Sequence, residues 1–266
     1  MQQAFDTIAR NYDASFTNSI IGTAQREIVW KYLEKSLSQQ KKMNILELNS
    51  GTGEDALRFA NKGHKVLATD ISEKMLEIIQ EKIYESDLSS QIQVQQLDIN
   101  EIEKVYFEEP FNLVFSNFGG MNCIALEQLN KLPDVIKKIL RPNGRLIMII
   151  MPKYCLWETL YFLSKFNFKS AFRRYSDNGC TAILNDLELR TFYYSPGQIK
   201  NIFKKYFNVI DIKPVGFFIP PSYMEKFFES KRKTFNLLKR LESSVTNQSF
   251  LAGFSDHYLI DLQVKE

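Results

Sequence analysis

The sequence predicts an α/β fold built on a parallel, doubly wound sheet, and two observations support this. Short apolar runs alternate with amphipathic stretches of helical length through the first half of the chain. Strands that alternate with such helices are typical of repeated β-α-β units. A glycine-containing stretch over residues 45–56, ILELNSGTGEDA, also joins the first strand to a helix. Turns at this point of a parallel sheet commonly lie beside a ligand.

Five short apolar runs predict the first strands: Asn44–Leu48, Lys65–Thr69, Ile92–Leu97, Phe111–Ser116 and Arg145–Met151. Helical patterns lie between them at Glu54–Asn61, Glu73–Ser86 and Leu126–Leu140, and Arg141-Pro142-Asn143-Gly144 closes the last of these. Later in the chain a proline-initiated helix, Pro196–Tyr206, precedes a sixth strand, Phe207–Lys213. A seventh strand, Tyr258–Val264, completes the pattern.

We expect one domain over residues 1–266, with cap helices in 1–40 and a ligand-binding core in 41–151. Two segments, 152–195 and 214–256, interrupt the alternation, and the first is rich in aromatic residues. Both segments begin at the carboxyl ends of predicted strands. In a doubly wound sheet, the chain that leaves these ends lies over the ligand crevice. They are predicted to form a lid or acceptor pocket, and extra packing at one edge of the sheet is the alternative.

Composition narrows the class of protein. The chain has 266 residues, of which 44% are apolar and 24% charged, so a substantial core can form. A formal charge of +3 is small for a dedicated nucleic-acid binder. The three cysteines have no C-x-x-C spacing, so no metal site is expected. The start, MQQAFDTIARNYD, lacks the pattern of a signal peptide, and no apolar run is long enough for a transmembrane segment, which favours a cytoplasmic protein.

The glycine turn alone leaves its ligand open. Gly51, Gly53 and Ala56 satisfy the G-x-G-x-x-G/A pattern of dinucleotide sites. Asp70, seventeen positions after Gly53, can accept hydrogen bonds from the ribose hydroxyls of a dinucleotide or of any other adenosine. Asp98, at the end of the third strand, favours a different ligand. A second carboxylate can accept a hydrogen bond from the amino group of an adenine. A dinucleotide site, in contrast, commonly holds its adenine in an apolar pocket.

With these motifs in order, the chain resembles the class I S-adenosylmethionine-dependent methyltransferases. The resemblance is carried by the glycine turn, Asp70, Asp98, FNLVFSNFGG at the fourth strand and LRPNGRLIMII at the fifth. It implies a Rossmann-like sheet of seven strands, whose last strand is antiparallel and inserted beside the fifth. It also implies S-adenosylmethionine as the cofactor and a methyl transfer as the reaction.

The resemblance further implies roles for individual residues. Gly51 and Gly53 would admit the methionine part of the cofactor, with Glu47 supporting the turn. The adenosine contacts would come from the ends of the second and third strands: Asp70, Ile71, Asp98 and Ile99. Ser116 and Asn117 would lie beneath the sulfonium and amino end.

Position 49 departs from the family pattern, which commonly has glycine where this chain has Asn49. Asparagine tolerates positive φ better than most residues, so we expect the turn to be preserved. Tyr12, in the stretch YDASF, and Arg26, on the next helix, match residues that close over the cofactor in small-molecule members of the family. Arg26 would then pair with the methionine carboxylate. Packing of Tyr12 and surface exposure of Arg26 are the alternatives.

His257 is the candidate general base, because it directly precedes the last strand, whose start lies at the ligand edge if that strand is antiparallel. A structural role at the start of the strand is the alternative. The side chain of Asp256 is not expected to point in the same direction as that of His257. The aromatic insertions favour O- or N-methylation of a small, aromatic or apolar acceptor such as a phenol, a quinol or a natural-product intermediate, and no nucleic-acid acceptor is expected. A nicotinamide-dependent oxidoreductase and a non-catalytic module of the same fold remain the competing functions.

Overall fold

A computed structural model of the chain describes residues 2–40, 42–184 and 187–266. These ranges contain the strands β1 (Asn44–Leu48), β2 (Lys65–Asp70), β3 (Ile92–Gln96), β4 (Phe111–Ser116), β5 (Leu140–Ile150), β6 (Cys180–Leu184), β7 (Leu187–Thr191), β8 (Phe207–Val215) and β9 (His257–Val264). Seven of them form the main sheet in the order β3-β2-β1-β4-β5-β9-β8, while β6 and β7 form a separate hairpin. The predicted doubly wound sheet is confirmed, and the order reverses between β1 and β4.

The helices are α1 (Gln2–Tyr12), α2 (Ile20–Ser36), α3 (Glu54–Asn61), α4 (Glu73–Glu85), α5 (Leu126–Leu129), α6 (Leu132–Ile139), α7 (Leu156–Ser164), α8 (Phe168–Ala171), α9 (Pro196–Phe203), α10 (Glu225–Glu229) and α11 (Arg232–Val245). Helices α2, α3 and α4 pack on one face of the sheet through buried residues such as Trp30, Phe59 and Ile79. Helices α6 and α9 pack on the other face through Ile136 and Phe203. Because both faces are covered, the central strands are buried on both sides.

Strands β1 to β5 are mutually parallel, whereas β9 runs antiparallel to both β5 and β8. Tyr258 lies opposite Ile150, and His257 lies opposite Val215. The carboxyl ends of the parallel strands and the start of β9 therefore share one edge of the sheet, which we call the ligand edge. The predicted antiparallel last strand is confirmed.

Several predicted elements differ from the structure by one to five residues at their ends, and one predicted helix is divided. The helix predicted over Leu126–Leu140 is divided into α5 and α6, and Leu140 already belongs to β5. The register shifts between the pairs Phe111–Leu140 and Leu113–Arg145, so the Arg-Pro-Asn-Gly turn is a bulge in β5. The hairpin of β6 and β7 was not anticipated.

Both insertions leave the sheet at the ligand edge, as the sequence predicts. The first follows β5, and the second follows Val215 at the end of β8. Trp157 Nε1 donates a hydrogen bond to Phe218 O at 3.1 Å, which joins the two insertions. Of the residues described, none lies in a helix with the length and apolar composition needed to cross a bilayer.

Candidate cofactor and acceptor site

The turn after β1 holds three residues in left-handed backbone conformations. The φ angles are 57° at Asn49, 55° at Gly51 and 78° at Gly53. Gly53 precedes the first residue of α3, and a Cβ on it would lie 2.9 Å from Ile79 Cγ1, so both its backbone and its packing require glycine. The predicted positive φ at Asn49 is confirmed.

Gly120, which follows β4, packs directly against Asn49. A Cβ on Gly120 would lie 2.6 Å from Asn49 Cβ and 2.7 Å from its Oδ1. The side chain at position 49 thus takes the space that a side chain at position 120 would need. Among the described residues, Asn49 Oδ1 is buried without a hydrogen-bond partner. Sequence reasoning identified the FSNFGG motif but missed this contact.

Asp70 ends β2 and is buried beside the glycine turn. Its Oδ2 accepts a hydrogen bond from Gly51 N at 2.9 Å, and its Oδ1 accepts one from Ser72 N at 2.9 Å. Burial raises the pKa of Asp70 to about 6, although these backbone N–H groups act to lower it. Each carboxylate oxygen has a second lone pair, so the group can also accept hydrogen bonds from a ligand.

The end of β3 lies beside the end of β2. Gln96 Nε2 donates a hydrogen bond to Ile71 O at 3.0 Å. Asp98 is half-buried, and its Oδ1 accepts hydrogen bonds from the backbone and side chain of Asn100, both at 2.9 Å. Ile99 is buried and Ile71 is half-buried. The fold thus brings the ends of the two strands that carry the predicted adenosine contacts together.

Two buried oxygen atoms at the ends of β1 and β4 have no hydrogen-bond partner in the described part of the chain. They are Glu47 Oε2 and Ser116 Oγ. Burial, followed by the negative charge of Asp55, raises the pKa of Glu47 well above its usual range. Buried polar atoms are normally paired, so this region has unused hydrogen-bonding capacity.

Tyr12 ends α1 and covers the glycine turn. A Cβ on Gly51 would lie 3.7 Å from Tyr12 Cε1, and burial raises the pKa of Tyr12 to about 12. The next residue, Asp13, pairs with Lys82 Nζ at 2.6 Å and accepts a hydrogen bond from Thr52 Oγ1. These contacts fasten the end of α1 to α4 and to the glycine turn. Tyr12 therefore lies beside the turn, where it is predicted to close over the cofactor.

Asp55, the second residue of α3, gathers three side-chain donors. It accepts hydrogen bonds from Arg26 Nη1, from Trp30 Nε1 at 2.6 Å and from Asn117 Nδ2 at 2.8 Å. Arg26 is therefore already paired with a protein carboxylate, and its guanidinium also lies 5.4 Å from the centre of the Phe118 ring. Sequence reasoning missed Asp55, because the helix dipole alone accounts for an acidic residue in a first turn.

His257 is the first residue of β9 and is 7% exposed. Its ring meets that of Phe118 edge-on, with the centroids 5.4 Å apart. Its Nδ1 lies 3.2 Å from Asp256 Oδ2, which is ion-pair distance but not hydrogen-bond geometry. The prediction that Asp256 would not share the direction of His257 is wrong. Asp256 precedes the strand, so the alternation of strand side chains does not apply to it.

Asp256 belongs to a buried charged network that ties β9 to the first insertion. Arg174 Nη2 donates hydrogen bonds to Asp256 Oδ1 at 2.9 Å and to Glu158 Oε2 at 3.0 Å. Gln25 Nε2 donates to Asp256 Oδ2 at 3.1 Å. Burial acts to raise the pKa of Asp256, but His257 and Arg174 outweigh it and hold that pKa well below its usual range. The carboxylate beside His257 therefore stays ionised.

Residues 45–144 match a family model described as a methyltransferase domain. The chain is 31% identical over 151 residues to YqeM, a proposed methyltransferase of Bacillus subtilis. This alignment covers 54% of this chain and 56% of that protein. It is 23% identical over 147 residues to the tRNA 5-carboxymethoxyuridine methyltransferase of Escherichia coli, covering 54% and 55%. It is 27% identical over 170 residues to the demethylmenaquinone methyltransferase of Lactococcus lactis, covering 61% and 64%. The alignments with the first two span little more than half the length of those relatives.

A solved structure of an S-adenosylmethionine-dependent methyltransferase from Clostridium acetobutylicum superposes with a TM-score of 0.62. The superposition covers 98% of this chain and 99% of that one at 14% identity. At this level of identity the likeness establishes the fold.

The parallel strands, the antiparallel β9 and the glycine turn after β1 define a Rossmann-like α/β fold. Residues 45–144 therefore match a methyltransferase domain, on a fold that this chain shares with a solved S-adenosylmethionine-dependent methyltransferase.

Proposed function

We propose that this protein transfers a methyl group from S-adenosylmethionine to a small, largely apolar acceptor. The observation that carries the proposal is the left-handed turn at Asn49, Gly51 and Gly53, which lies against the buried Asp70 at the ligand edge. The family match over residues 45–144 supports it. The antiparallel β9 gives no support to the nicotinamide-dependent alternative.

The residues present fit this cofactor. Glu47 Oε2, Asn49 Oδ1 and Ser116 Oγ are buried oxygens without partners among the described residues, as expected for a site that receives a polar ligand. Gly51 and Gly53 keep the turn free of side chains for close approach. In the proposal, Asp70 holds the ribose hydroxyls and Asp98 the adenine amino group, while Ile71 and Ile99 flank the base.

The amino-acid end of the cofactor would lie near Tyr12, Asn117 and Arg26. Because Asp55 already balances the charge of Arg26, we infer that Arg26 reaches a ligand carboxylate only while also contacting Asp55. Its Nε is buried and without a partner in the described ranges, so the guanidinium has a donor left for this second contact.

The bound cofactor supplies a methyl group that is already activated by its sulfonium. The protein then has to align the acceptor and remove its proton. We infer that His257 accepts this proton. With Nδ1 facing the ionised Asp256, Nε2 is the nitrogen that acts as the base, and the negative carboxylate stabilises the imidazolium that forms.

The aromatic content of the insertions favours an apolar substrate. Tyr154 packs against Tyr175 within the first insertion, with centroids 4.5 Å apart, and Trp157 of the first insertion packs against Phe228 of the second at 6.2 Å. A phenol or quinol ring fits such surroundings. The demethylmenaquinone methyltransferase relative supports this class, whereas the tRNA-directed relative makes RNA the second candidate.

Transfer of a radiolabelled methyl group to a panel of phenols, quinols and transfer RNA tests the proposal. We expect label in a phenol or quinol, and Asp70→Ala should abolish the transfer at low cofactor concentration. Label in transfer RNA alone would overturn the acceptor class. No label in any member of the panel, under conditions in which the cofactor binds, would count against catalysis on these acceptors.

A further inference from the structure

The tight turn between α7 and α8 presents two phenylalanines to solvent. This turn, residues 165–169, has the sequence Lys-Phe-Asn-Phe-Lys, and we call it the aromatic tip. Its backbone is fixed, because Phe166 N and Asn167 N donate hydrogen bonds back to Leu163 O and Phe162 O, both at 2.9 Å. Asn167 Oδ1 also accepts a hydrogen bond from Ser170 N and caps α8. The tip is therefore a defined structural feature.

The two rings of the tip are exposed far beyond what packing requires. Phe166 is 84% exposed and Phe168 is 61% exposed. Phe166 also has φ 55°, a left-handed conformation that is uncommon for a large side chain. Leu156 and Leu160, one turn apart on α7, are also exposed, at 43% and 56%. Exposed apolar side chains gathered on one segment commonly mark an interaction site.

The charge around the tip is positive. Lys165 and Lys169 are exposed on either side of the two phenylalanines. The sequence has no acidic residue between Glu158 and Asp177. Glu158 does not offset the lysines, because it is buried and paired with Arg173 and Arg174. Aromatic rings flanked by lysines combine apolar insertion with attraction to anionic headgroups.

We propose that the aromatic tip docks this protein onto an anionic lipid bilayer surface, with Phe166 and Phe168 inserted among the headgroups. The tip is a tight turn with an exposed lysine on either side, of which Lys165 contacts the ring of Tyr161 with its Nζ, whereas single-stranded nucleic acid is held in basic grooves lined by stacking rings. A second copy of the chain would bring the same lysines together, so charge disfavours self-association. The lipid surface is the occupant that both the rings and the charges fit.

Docking at the tip would bring the acceptor region close to the membrane. Helix α7 has nine residues, so it spans roughly 13 Å at 1.5 Å per residue. Its first residue, Leu156, donates a backbone hydrogen bond to Phe254 O near the start of β9. An acceptor dissolved in the bilayer would then need to travel only a short path. The docking itself requires no assumption about the methyl transfer.

Co-sedimentation of the full chain with lipid vesicles tests this inference. We expect binding to phosphatidylcholine vesicles that contain phosphatidylglycerol, weakening with added salt, and little binding to phosphatidylcholine alone. Phe166→Ser/Phe168→Ser should reduce the partition coefficient at least about tenfold. Lys165→Gln/Lys169→Gln should reduce it about fivefold for each lysine removed.

Matched controls lie elsewhere on the surface. Tyr84 and Tyr106 are 85% and 86% exposed, so Tyr84→Ser/Tyr106→Ser removes two equally exposed rings and should leave binding unchanged. Equal sedimentation of the tip variant and the wild type would overturn the proposal. Equal binding to both kinds of vesicle would also overturn it. So would competition by polyuridine RNA for the tip, or a concentration-dependent self-association that the tip variant loses. Because no turnover is measured, a negative result leaves the proposed reaction untouched.

Discussion

Protonation of Asp70 makes the proposed cofactor site sensitive to pH. Burial raises its pKa to about 6, above the ordinary value of 3.8. Between these values the folded protein binds more protons than the unfolded chain, so this group lowers the free energy of unfolding as pH rises through the interval. Ligand hydroxyls donate to the ionised carboxylate, so ligand affinity should change in the opposite direction.

We therefore expect the affinity for S-adenosylhomocysteine to fall as pH drops below about 6 and to level off above it. Asp70→Asn should weaken binding at least about tenfold at neutral pH and flatten the pH dependence, because the amide does not titrate and accepts fewer hydrogen bonds. Calorimetric titration at several pH values measures both effects. The surface variant Asp134→Asn is the control, and an unchanged pH profile in Asp70→Asn would remove this residue from the site.

Asn49 and Gly120 provide a test by compensation. Gly120→Ala should clash with the side chain of Asn49, since the new Cβ would lie 2.6 Å from Asn49 Cβ. Asn49→Gly should keep cofactor affinity, because glycine adopts the same positive φ, and it should also rescue Gly120→Ala. Melting temperature and S-adenosylhomocysteine affinity measure the cycle. Purely additive effects of the two substitutions would contradict the contact.

His257 and Asp256 are expected to act together in proton removal. His257→Ala should lower turnover at least about a hundredfold, the usual cost of losing a general base. Asp256→Asn should also lower turnover, because it removes the charge that stabilises the imidazolium. Affinity for S-adenosylhomocysteine should stay within about threefold in both variants. Near-normal turnover of His257→Ala on the true acceptor would assign His257 a structural role.

Among single residues, sequence reasoning is strongest where backbone geometry restricts the residue type. The positive φ at Asn49 and the place of Asp70 beside the turn follow from the motif. The pairing of Arg26 with Asp55 does not, because it depends on how α2 crosses α3. The approach of Asp256 to His257 likewise depends on a bend before β9, which no periodicity in the sequence indicates.

At the scale of elements, the link between β9 and the first insertion depends on a buried arginine. Arg174 contacts both Glu158 and Asp256, whereas its neighbour Arg173 contacts Glu158 and is partly exposed. Arg174→Met should lower the free energy of unfolding by about 3–5 kcal/mol, because two buried carboxylates lose their shared partner. Arg173→Met should cost about 1 kcal/mol or less. Urea unfolding of the pair of variants measures the difference, and equal losses would contradict the network.

Elements with a strong local pattern could be predicted closely. The bounds of β1, β4 and α3 agree with those predicted, since apolar runs and the glycine turn define them. The helix predicted over Leu126–Leu140 is interrupted because tertiary pairing draws Leu140 into β5 beside Phe111. The hairpin of β6 and β7 was missed, because the Asn-Asp pair between these two short runs lacks the glycine that marks a two-residue hairpin turn in a sequence.

At the scale of the whole molecule, elements distant in the sequence cover the ligand edge. Helix α1 is fastened to α4 and the glycine turn through Asp13, while the two insertions approach from β5 and β8. If the insertions cover the proposed cofactor site and His257, as we propose, they would favour exclusion of water during transfer. The order of strands alone predicts where this cover lies, but the side-chain contacts that fasten it require the three-dimensional structure.

Parallel calorimetric titrations with S-adenosylhomocysteine and NADH test the central claim, that the glycine turn binds the methyl-transfer cofactor. We expect one S-adenosylhomocysteine to bind per chain, with loss of affinity in Asp70→Ala and none in Asp134→Ala, and no heat from NADH. Saturable binding of NADH that depends on Asp70, without binding of S-adenosylhomocysteine, would contradict the assignment.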